Sequence, residues 1–380
     1  MKSLQLILTN PRYFAPAFVF ATLNIVIGTW AIYIPTIKAK LGIDEGQLGI
    51  AIFFMALGTL TMISLAPKII GSLGVGRTTA LGIFVFLLTF IIPFSVNGYY
   101  MFCLGMYIVG AFSGFTDVAM NTLVTEIEKQ DNVHIMSANH GFFSLGGFIG
   151  AGIGSFFLSE TIIPLYHLLI VVIILFILNL LIVKFYYSIS SKIDEAHSFQ
   201  FKNFKPLLVL ALIAFFVMAS EGAIVDWSAL YLEKVSLAKF TWIGLGYTAF
   251  SATMALGRFF GDEISGRFGS RGLIILGSLI GVFGFGFVLL VQPVMAIAGF
   301  GLVGLGLSVI IPELFRLGGK TDGVESSQGI SFISGVGFFG FLIGPVLLGF
   351  IADISNLKLS FLALLFFIVI TFLLAFKLKR

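Results

Sequence analysis

Four carboxylate side chains lie in stretches of the sequence that are otherwise apolar, and they are the first candidates for chemistry. The clearest is Asp117, the only charged residue between Arg77 and Glu126. A charge in hydrocarbon costs a few kcal/mol, so such residues are expected to face a water-filled cavity or a polar partner. The other three are Glu221, Asp226 and Glu313.

Asp117 heads the group of side chains predicted to carry a proton. Asn121 follows it by one helical turn, on the same face. A carboxylate held away from bulk water can bind and release a proton as its access to solvent alternates. His140 is a second candidate because imidazole titrates near neutral pH, and the alternative for it is a histidine hydrogen-bonded to backbone. We predict that Asp117, His140 and Glu221 couple transport to protons.

Glu221 and Asp226 are predicted to lie on one helix but on different faces. Five residues correspond to about 140° around an ideal helix. We expect Glu221 to face a central cavity and to contact the solute. Asp226 is also predicted to contact the solute, with an outer gate or a structural hydrogen bond as alternatives.

Glu313 and Arg316 have the i, i+3 spacing of an ion pair within one helix. This pairing is the preferred interpretation. The alternative is that Arg316 binds a carboxylate of the solute.

Amide and indole side chains complete the predicted solute site. Indole rings can stack on the apolar face of a sugar, and Trp30 and Trp227 lie 197 residues apart, near equivalent points of two repeated halves. The alternative is a place at the membrane interface, where Trp is enriched. The predicted solute contacts are Asn24, Trp30, Asn121, Asn139, Glu221, Asp226 and Trp227.

These residues need elements that cross a membrane, and the composition predicts such elements. The 380 residues are 58% hydrophobic and 11% charged, unlike a soluble domain. Only helices fit the long apolar runs, since backbone groups in lipid must be satisfied internally. Turn signals divide the runs into twelve predicted spans. They fall near residues 14–36, 46–67, 78–95, 99–125, 135–158, 162–187, 206–232, 241–261, 272–291, 294–317, 326–351 and 358–377.

Basic residues predict the orientation of these spans. With both termini in the cytoplasm, all but five of the 22 Lys and Arg residues lie on the cytoplasmic side, as the positive-inside rule requires. The five exceptions are Lys38, Lys40, Lys234, Lys239 and Lys358. We therefore expect a multi-pass protein of the cell (inner) membrane. Its net charge of +4 reflects topology and anionic lipid, not nucleic acid.

An internal repeat divides the chain into halves. GSLGVGR (71–77) recurs as GRFGSR (266–271), which aligns Gly71 with Gly266 and Gly74 with Gly269 at an offset of 195. A polar stretch near the middle of the chain is predicted to be a cytoplasmic linker. Repeated halves suit a transporter, because one half can rock against the other around a central site. The predicted domains are a six-helix bundle at 1–187, the linker at 188–205 and a second bundle at 206–380.

The stretch GRFFGDEISGRFGSR (257–271) resembles the loop signature of the major facilitator superfamily. That resemblance implies that the loop's acid, here Asp262, sits at a helix end. It also implies that the acid and the arginines latch the cytoplasmic side in one conformation. The predicted gating residues are Arg258, Asp262, Arg267 and Arg271.

Within that superfamily the chain is similar to the fucose permease-like branch. This implies that Asp117 matches an acid on helix four that takes part in substrate binding and proton coupling. The branch also has an acid on helix one, where this sequence has Ala31. The stretches that carry the resemblance are GFTDVAMN (114–121), MSANHGFFSLGGFIGA (136–151), EGAIVDWSALYL (221–232) and GFFGFLIGPVLLGFIAD (337–353).

The preferred hypothesis is proton-coupled uptake of a small polar solute, sugar or sugar-like, by a monomer without a cofactor. No Walker loop, GxSxG motif or paired His/Cys spacing occurs, so an enzyme is not expected. One alternative is proton-antiport efflux of amphipathic compounds, although the GxxxGPxxGG run of drug antiporters is absent from span five. A non-transporting receptor or scaffold is the other alternative, and it has little reason to bear the cost of acids inside its spans.

Overall fold

The described secondary structure consists of helices joined by short turns and loops. A computed structural model describes residues 2–133, 135–157, 163–190, 205–318, 321 and 326–378. Contacts divide the chain into two compact units, Met1–Asp194 and Glu195–Arg380. The predicted linker, 188–205, lies mostly outside the described residues, and the domain boundaries stay a prediction.

The described part of the first unit contains eight α-helices, and their ends follow from local sequence. Asn10 accepts a hydrogen bond from the backbone N–H of Arg12 at 3.0 Å as α2 begins. Asp44 and Gln47 form a reciprocal capping box at the start of α3. The helices are α1 (Lys2–Thr9), α2 (Pro11–Leu41), α3 (Glu45–Leu73), α4 (Val75–Thr89), α5 (Ile91–Ser95), α6 (Tyr99–Asp131), α7 (Met136–Phe157) and α8 (Pro164–Ile182).

Six α-helices make up the described part of the second unit. They are α9 (Leu208–Lys234), α10 (Leu245–Leu289), α11 (Pro293–Leu307), α12 (Ile310–Gly318), α13 (Ser326–Ile354) and α14 (Leu357–Ala375). Pro293 starts α11, where a missing backbone N–H costs nothing.

Each of the twelve predicted spans falls on a helix. The third span is formed by α4 with α5, the eighth and ninth lie in α10, and the tenth combines α11 and α12. By length and composition, ten described helical stretches are apolar enough to cross a membrane. The other two predicted spans are α7 and the first part of α10.

The second span of each half ends later than predicted. Helix α3 continues to Leu73, and α10 is interrupted at Gly269, so Asp262 lies within a helical stretch and not on its last turn. Gly74 has φ 84° and ψ 150°, and Gly269 has φ 68° and ψ 160°. Only glycine adopts this backbone region readily. The repeat that aligned these two glycines is therefore visible in the backbone.

Equivalent helices pack together in the two units. Helix α2 packs on α7 and α3 on α6, while α9 packs on α13 and α10 on α11. Glycines allow the close approaches, because a methyl group at each would collide with a backbone carbonyl of the facing helix. The pairs are Gly146 with Ala21, Gly150 with Ile25, Gly340 with Phe215 and Gly344 with Ala219. Each residue of the second unit follows its counterpart by 194 positions, close to the predicted offset.

Candidate functional site

Asp117 lies half-buried on α6, and its described hydrogen-bond partner is Asn121. Asn121 donates hydrogen bonds from Nδ2 to the carbonyl oxygen of Asp117 at 2.9 Å and to its Oδ1 at 3.3 Å. Among the described residues, none forms an ion pair with Asp117. The carboxylate thus has a hydrogen-bond donor but no countercharge within the described part of the chain, and inside a span it needs water or a proton to be tolerated.

His140 lies where α7 contacts α2. The edge of its ring packs against Phe20, with 5.2 Å between ring centroids and 78° between the planes. Its carbonyl oxygen accepts a hydrogen bond from Ser144 Oγ at 3.3 Å. A role for His140 in proton coupling stays a prediction.

Two buried asparagines occupy the same pair of helices. Asn24 Nδ2 donates to the carbonyl oxygen of Phe143 at 2.9 Å and so ties α2 to α7. Asn139 is fully buried and donates to the carbonyl oxygen of Ile135 at 2.7 Å. Among the described residues, no hydrogen-bond donor reaches Asn139 Oδ1. The Oδ1 of Asn139 is therefore an acceptor without a described donor. The bond of Asn24 to Phe143 gives Asn24 a structural role, besides any contact with the solute.

The two predicted stacking rings are buried. Trp30 is 1% exposed and packs among Phe90, Phe94 and Phe102 at centroid distances of 6.2, 6.0 and 6.1 Å. Trp227 is 0% exposed, and its Nε1 donates to the carbonyl oxygen of Pro345 at 2.9 Å. These contacts favour packing for both rings, and stacking on a solute stays a prediction.

The close helix contacts of the two units are related by an offset of 194 residues. At this offset the counterpart of Trp227 is Tyr33, not Trp30. The hydroxyl of Tyr33 is 2.9 Å from Nδ1 of His167, and this buried pair links α2 to α8. Sequence analysis missed the pair. The two residues are 134 positions apart, and nothing local in the sequence marks them as neighbours.

Glu221 and Arg258 form an ion pair between α9 and α10 in the second unit. Glu221 is 8% exposed on α9, and its Oε2 is 3.5 Å from Nη2 of Arg258 on α10. Glu221 Oε1 is buried without a hydrogen-bond partner among the described residues. Family resemblance predicts that Arg258 belongs to the cytoplasmic latch, and the sequence does not predict its place beside Glu221.

The remaining buried acids differ from each other. Glu313 and Arg316 form the predicted ion pair, with Nη1 at 3.0 Å from Oε1 and 3.3 Å from Oε2. Asp226 is 3% exposed on α9, next to Trp227. Its contact with solute stays a prediction.

The predicted latch is described only in part, because the side chains of Asp262 and Arg267 lie outside the described residues. Arg271 Nη2 donates to the carbonyl oxygen of Phe376, the C-cap of α14, at 3.0 Å. Its counterpart in the repeat, Arg77, lies 5.7 Å from the ring centroid of Tyr187, beyond the end of α8. Both arginines thus reach the end of the sixth span of their own unit.

A helical membrane protein with repeated halves and charged side chains inside its spans has the architecture of a secondary transporter. The sequence model of the Major Facilitator Superfamily matches residues 14–322. The chain belongs to the Major Facilitator Superfamily, a family of transporters and not of enzymes, and it is a multi-pass integral membrane protein.

Similar proteins agree with this assignment over nearly the whole chain. An uncharacterised MFS-type transporter of Yersinia pestis is 30% identical over 346 residues, which are 91% of this chain and 89% of that protein. The crystal structure of the nucleoside transporter NupG has a TM-score of 0.72 at 13% identity, covering 98% of this chain and all of that one. A variant of the E. coli fucose:proton symporter FucP has a TM-score of 0.64 at 17% identity, covering 96% and 98%. The solved structures show the fold alone. The predicted superfamily and its all-α fold of two six-helix bundles are confirmed.

Proposed function

We propose that this transporter imports a small polar solute, such as a sugar or sugar-like compound, together with protons. Membership of the superfamily establishes the transporter class, whereas the solute, the direction and the coupling ion belong to the proposal. Asp117 is the principal coupling carboxylate in this proposal.

The observation that carries proton coupling is the setting of Asp117. Its one described polar partner is the uncharged amide of Asn121. An uncompensated carboxylate in a span is most stable when it is protonated or solvated, so its protonation must follow its access to water. A transporter that alternates access can use this dependence to move protons with solute.

Sugar as the solute class rests on analogy. The fucose:proton symporter FucP shares the fold and, by its name, moves a sugar with a proton. A shared fold is a weak guide to substrate, because sites change faster than folds.

The test begins with a thermal-stability screen of the purified protein against sugars, polyols, organic acids and lipophilic cations. A ligand at about 100 times its Kd stabilises the native state by roughly 2.7 kcal/mol. A compound that raises Tm is then followed in proteoliposomes under an imposed proton gradient. We expect accumulation on the side towards which protons flow.

Asp117→Asn should abolish this gradient-driven accumulation and leave solute exchange between the two sides intact. Glu126→Gln is the matched control on the same helix, since Glu126 is bonded to Gln130 at 2.8 Å near the helix end and should keep accumulation. Full accumulation by Asp117→Asn would remove Asp117 from coupling. Solute movement against the proton flow would replace uptake with efflux.

A further inference from the structure

Two cations lie at the same end of two neighbouring helices of the first unit. Arg77 is in the first turn of α4, and Lys184 is in the 3₁₀ turn Val183–Phe185 that follows α8. Both residues are exposed. Helices α4 and α8 contact each other, with 4.7 Å between the ring centroids of Phe84 and Phe176. The two helices therefore form a continuous surface that ends at the two cations.

The segment that follows α8 is fixed against the start of α4. The backbone N–H of Gly76 donates to the carbonyl oxygen of Ile189 at 2.9 Å. A methyl group at Gly76 would collide with the carbonyl oxygens of Tyr186 and Tyr187, so only glycine permits this approach. Gly76 is next to Arg77 in the chain, and Tyr186 follows Lys184 by two residues. Both cations are thus carried by backbone that is in direct contact.

Neither cation has an anionic partner in the part of the chain that the structure describes. Cζ of Arg77 lies 5.7 Å from the ring centroid of Tyr187, and Nζ of Lys184 lies 5.2 Å from that of Phe185. No described carboxylate or hydrogen-bond acceptor contacts either cation. The sequence of α4 and of residues 164–190 contains no Asp or Glu. Two positive charges therefore remain available to an anion.

An exposed apolar stripe leads to each cation. On α4 the exposed residues Leu88, Leu81 and Arg77 are seven and four positions apart, so they share one face. On α8 exposed residues follow one another in steps of three or four up to Lys184. Both helices are apolar enough to cross a membrane, where such a face contacts acyl chains. The exposed residues on α8 are Tyr166, Ile170, Ile173, Ile177 and Leu181.

The second unit does not repeat this arrangement. Arg271, the counterpart of Arg77, already donates from Nη2 to the carbonyl oxygen of Phe376 at 3.0 Å. Ser270 stands where the first unit has Gly76. The cation without a described acceptor therefore belongs to the first unit.

We propose that this end of the α4–α8 pair binds a phospholipid with an anionic headgroup. The headgroup phosphate accepts hydrogen bonds from the guanidinium of Arg77 and the ammonium of Lys184, and the acyl chains lie along the two apolar stripes. Guanidinium suits a phosphate because it donates two parallel hydrogen bonds. The site goes beyond the proposed function and depends neither on the solute nor on the coupling ion.

The surroundings of the two cations favour a lipid as the source of the phosphate. Aromatic side chains are enriched at the level of lipid headgroups, and Phe185 and Tyr187 are exposed beside the cations. Basic pockets between spans are suited to anionic headgroups. A soluble phosphate would use the two cations and leave the stripes of α4 and α8 without a role.

Lipids that differ only in the headgroup test the proposal on the purified full-length protein. The probes are dioleoyl phosphatidylglycerol, which is anionic, and dioleoyl phosphatidylcholine, which is zwitterionic, each added in an uncharged detergent. Tm is measured over a lipid concentration series, and bound lipid is counted by native mass spectrometry. The wild-type protein should bind phosphatidylglycerol about tenfold more tightly than phosphatidylcholine. Glycerol 3-phosphate, which lacks acyl chains, should not raise Tm.

Arg77→Gln with Lys184→Gln should remove the preference for phosphatidylglycerol. It should leave Tm without lipid nearly unchanged, because contacts between exposed cations and rings are weak. Arg77→Lys keeps the charge but loses the second parallel hydrogen bond, so it should retain part of the preference. The matched control is Lys129→Gln with Lys377→Gln, which removes the same charge from exposed residues at the ends of α6 and α14 and should keep the full preference.

Three results would overturn the proposal: equal binding of the two lipids by the wild-type protein, stabilisation by glycerol 3-phosphate as strong as by phosphatidylglycerol, or loss of the preference in the Lys129/Lys377 variant. The first would show that the headgroup charge is not recognised. The second would assign the cations to a soluble phosphate. The third would assign the preference to net charge and not to Arg77 and Lys184.

Discussion

Thr59 on α3 donates its hydroxyl hydrogen to the carbonyl oxygen of Gly110 on α6 at 2.9 Å. Thr253, 194 positions later, makes the same kind of bond to the carbonyl oxygen of Gly301 on α11 at 2.7 Å. In lipid, small residues and interhelical hydrogen bonds hold helices together, since burial of apolar side chains gives no advantage over contact with lipid tails. The second and fourth spans of each half are therefore joined in the same way.

Replacing Gly110 by alanine should destabilise the protein. A methyl group there would collide with the backbone carbonyl of Met55, which has no flexible end that can move aside. We expect Gly110→Ala to cost about 1–3 kcal/mol and to lower Tm, as overpacking does. Gly286→Ala on α10 is the matched control, because nothing lies within 4 Å of the added methyl group. It should change stability by less than about 1 kcal/mol. Equal Tm values for the two variants would show that the close approach at Gly110 does not contribute to stability.

The fold was predictable because its signals are local. Apolar runs long enough to cross a bilayer predict twelve spans when they are divided at turn signals such as Pro93, Asn97-Gly98 and Pro293. Each predicted span falls on a helix of the structure. Gly74 and Gly269 were aligned by sequence alone, and they share a backbone conformation that favours glycine. The ends of the second spans were missed, since the helix continues through Lys68 in one half and Asp262 in the other.

The candidate site was predictable only residue by residue. The cost of a charge in a span singled out Asp117 and Glu221, and helical spacing predicted the pair of Glu313 with Arg316. Contacts between helices leave no such signal. Arg258 is 37 positions from Glu221, and Tyr33 is 134 positions from His167. Hydropathy shows that a helix is buried, but it does not show which side chains face each other.

Trp227→Phe should lower stability and leave solute affinity nearly unchanged. The variant removes the hydrogen bond from Nε1 to the carbonyl oxygen of Pro345, made at 2.9 Å, and leaves space where the indole was. A single hydrogen bond contributes about 1 kcal/mol, and the lost packing adds to that. Thermal unfolding without ligand measures the expected loss.

The matched control for this variant is Trp242→Phe, the same exchange at a partly exposed ring that Lys239 Nζ approaches to 5.8 Å from the centroid. It should lower Tm less. If Trp227 stacks on the solute as the sequence predicts, Trp227→Phe will instead raise KM severalfold at an unchanged Tm.

The predicted orientation can be tested at the two ends of one helix. Asn97 is exposed just before α6, and Lys129 is exposed in its last turn, so 32 residues separate them along a helix that rises about 1.5 Å per residue. In a Cys103→Ala background, which removes the single cysteine, we expect a membrane-impermeant maleimide to label Asn97→Cys in intact cells. Lys129→Cys should be labelled only after permeabilisation, because positive-inside bias places it in the cytoplasm.

The opposite labelling pattern would invert the topology and place both termini outside. Imposed gradients in proteoliposomes would then have to be assigned to the opposite face of the protein, so this measurement fixes the direction of every flux experiment above.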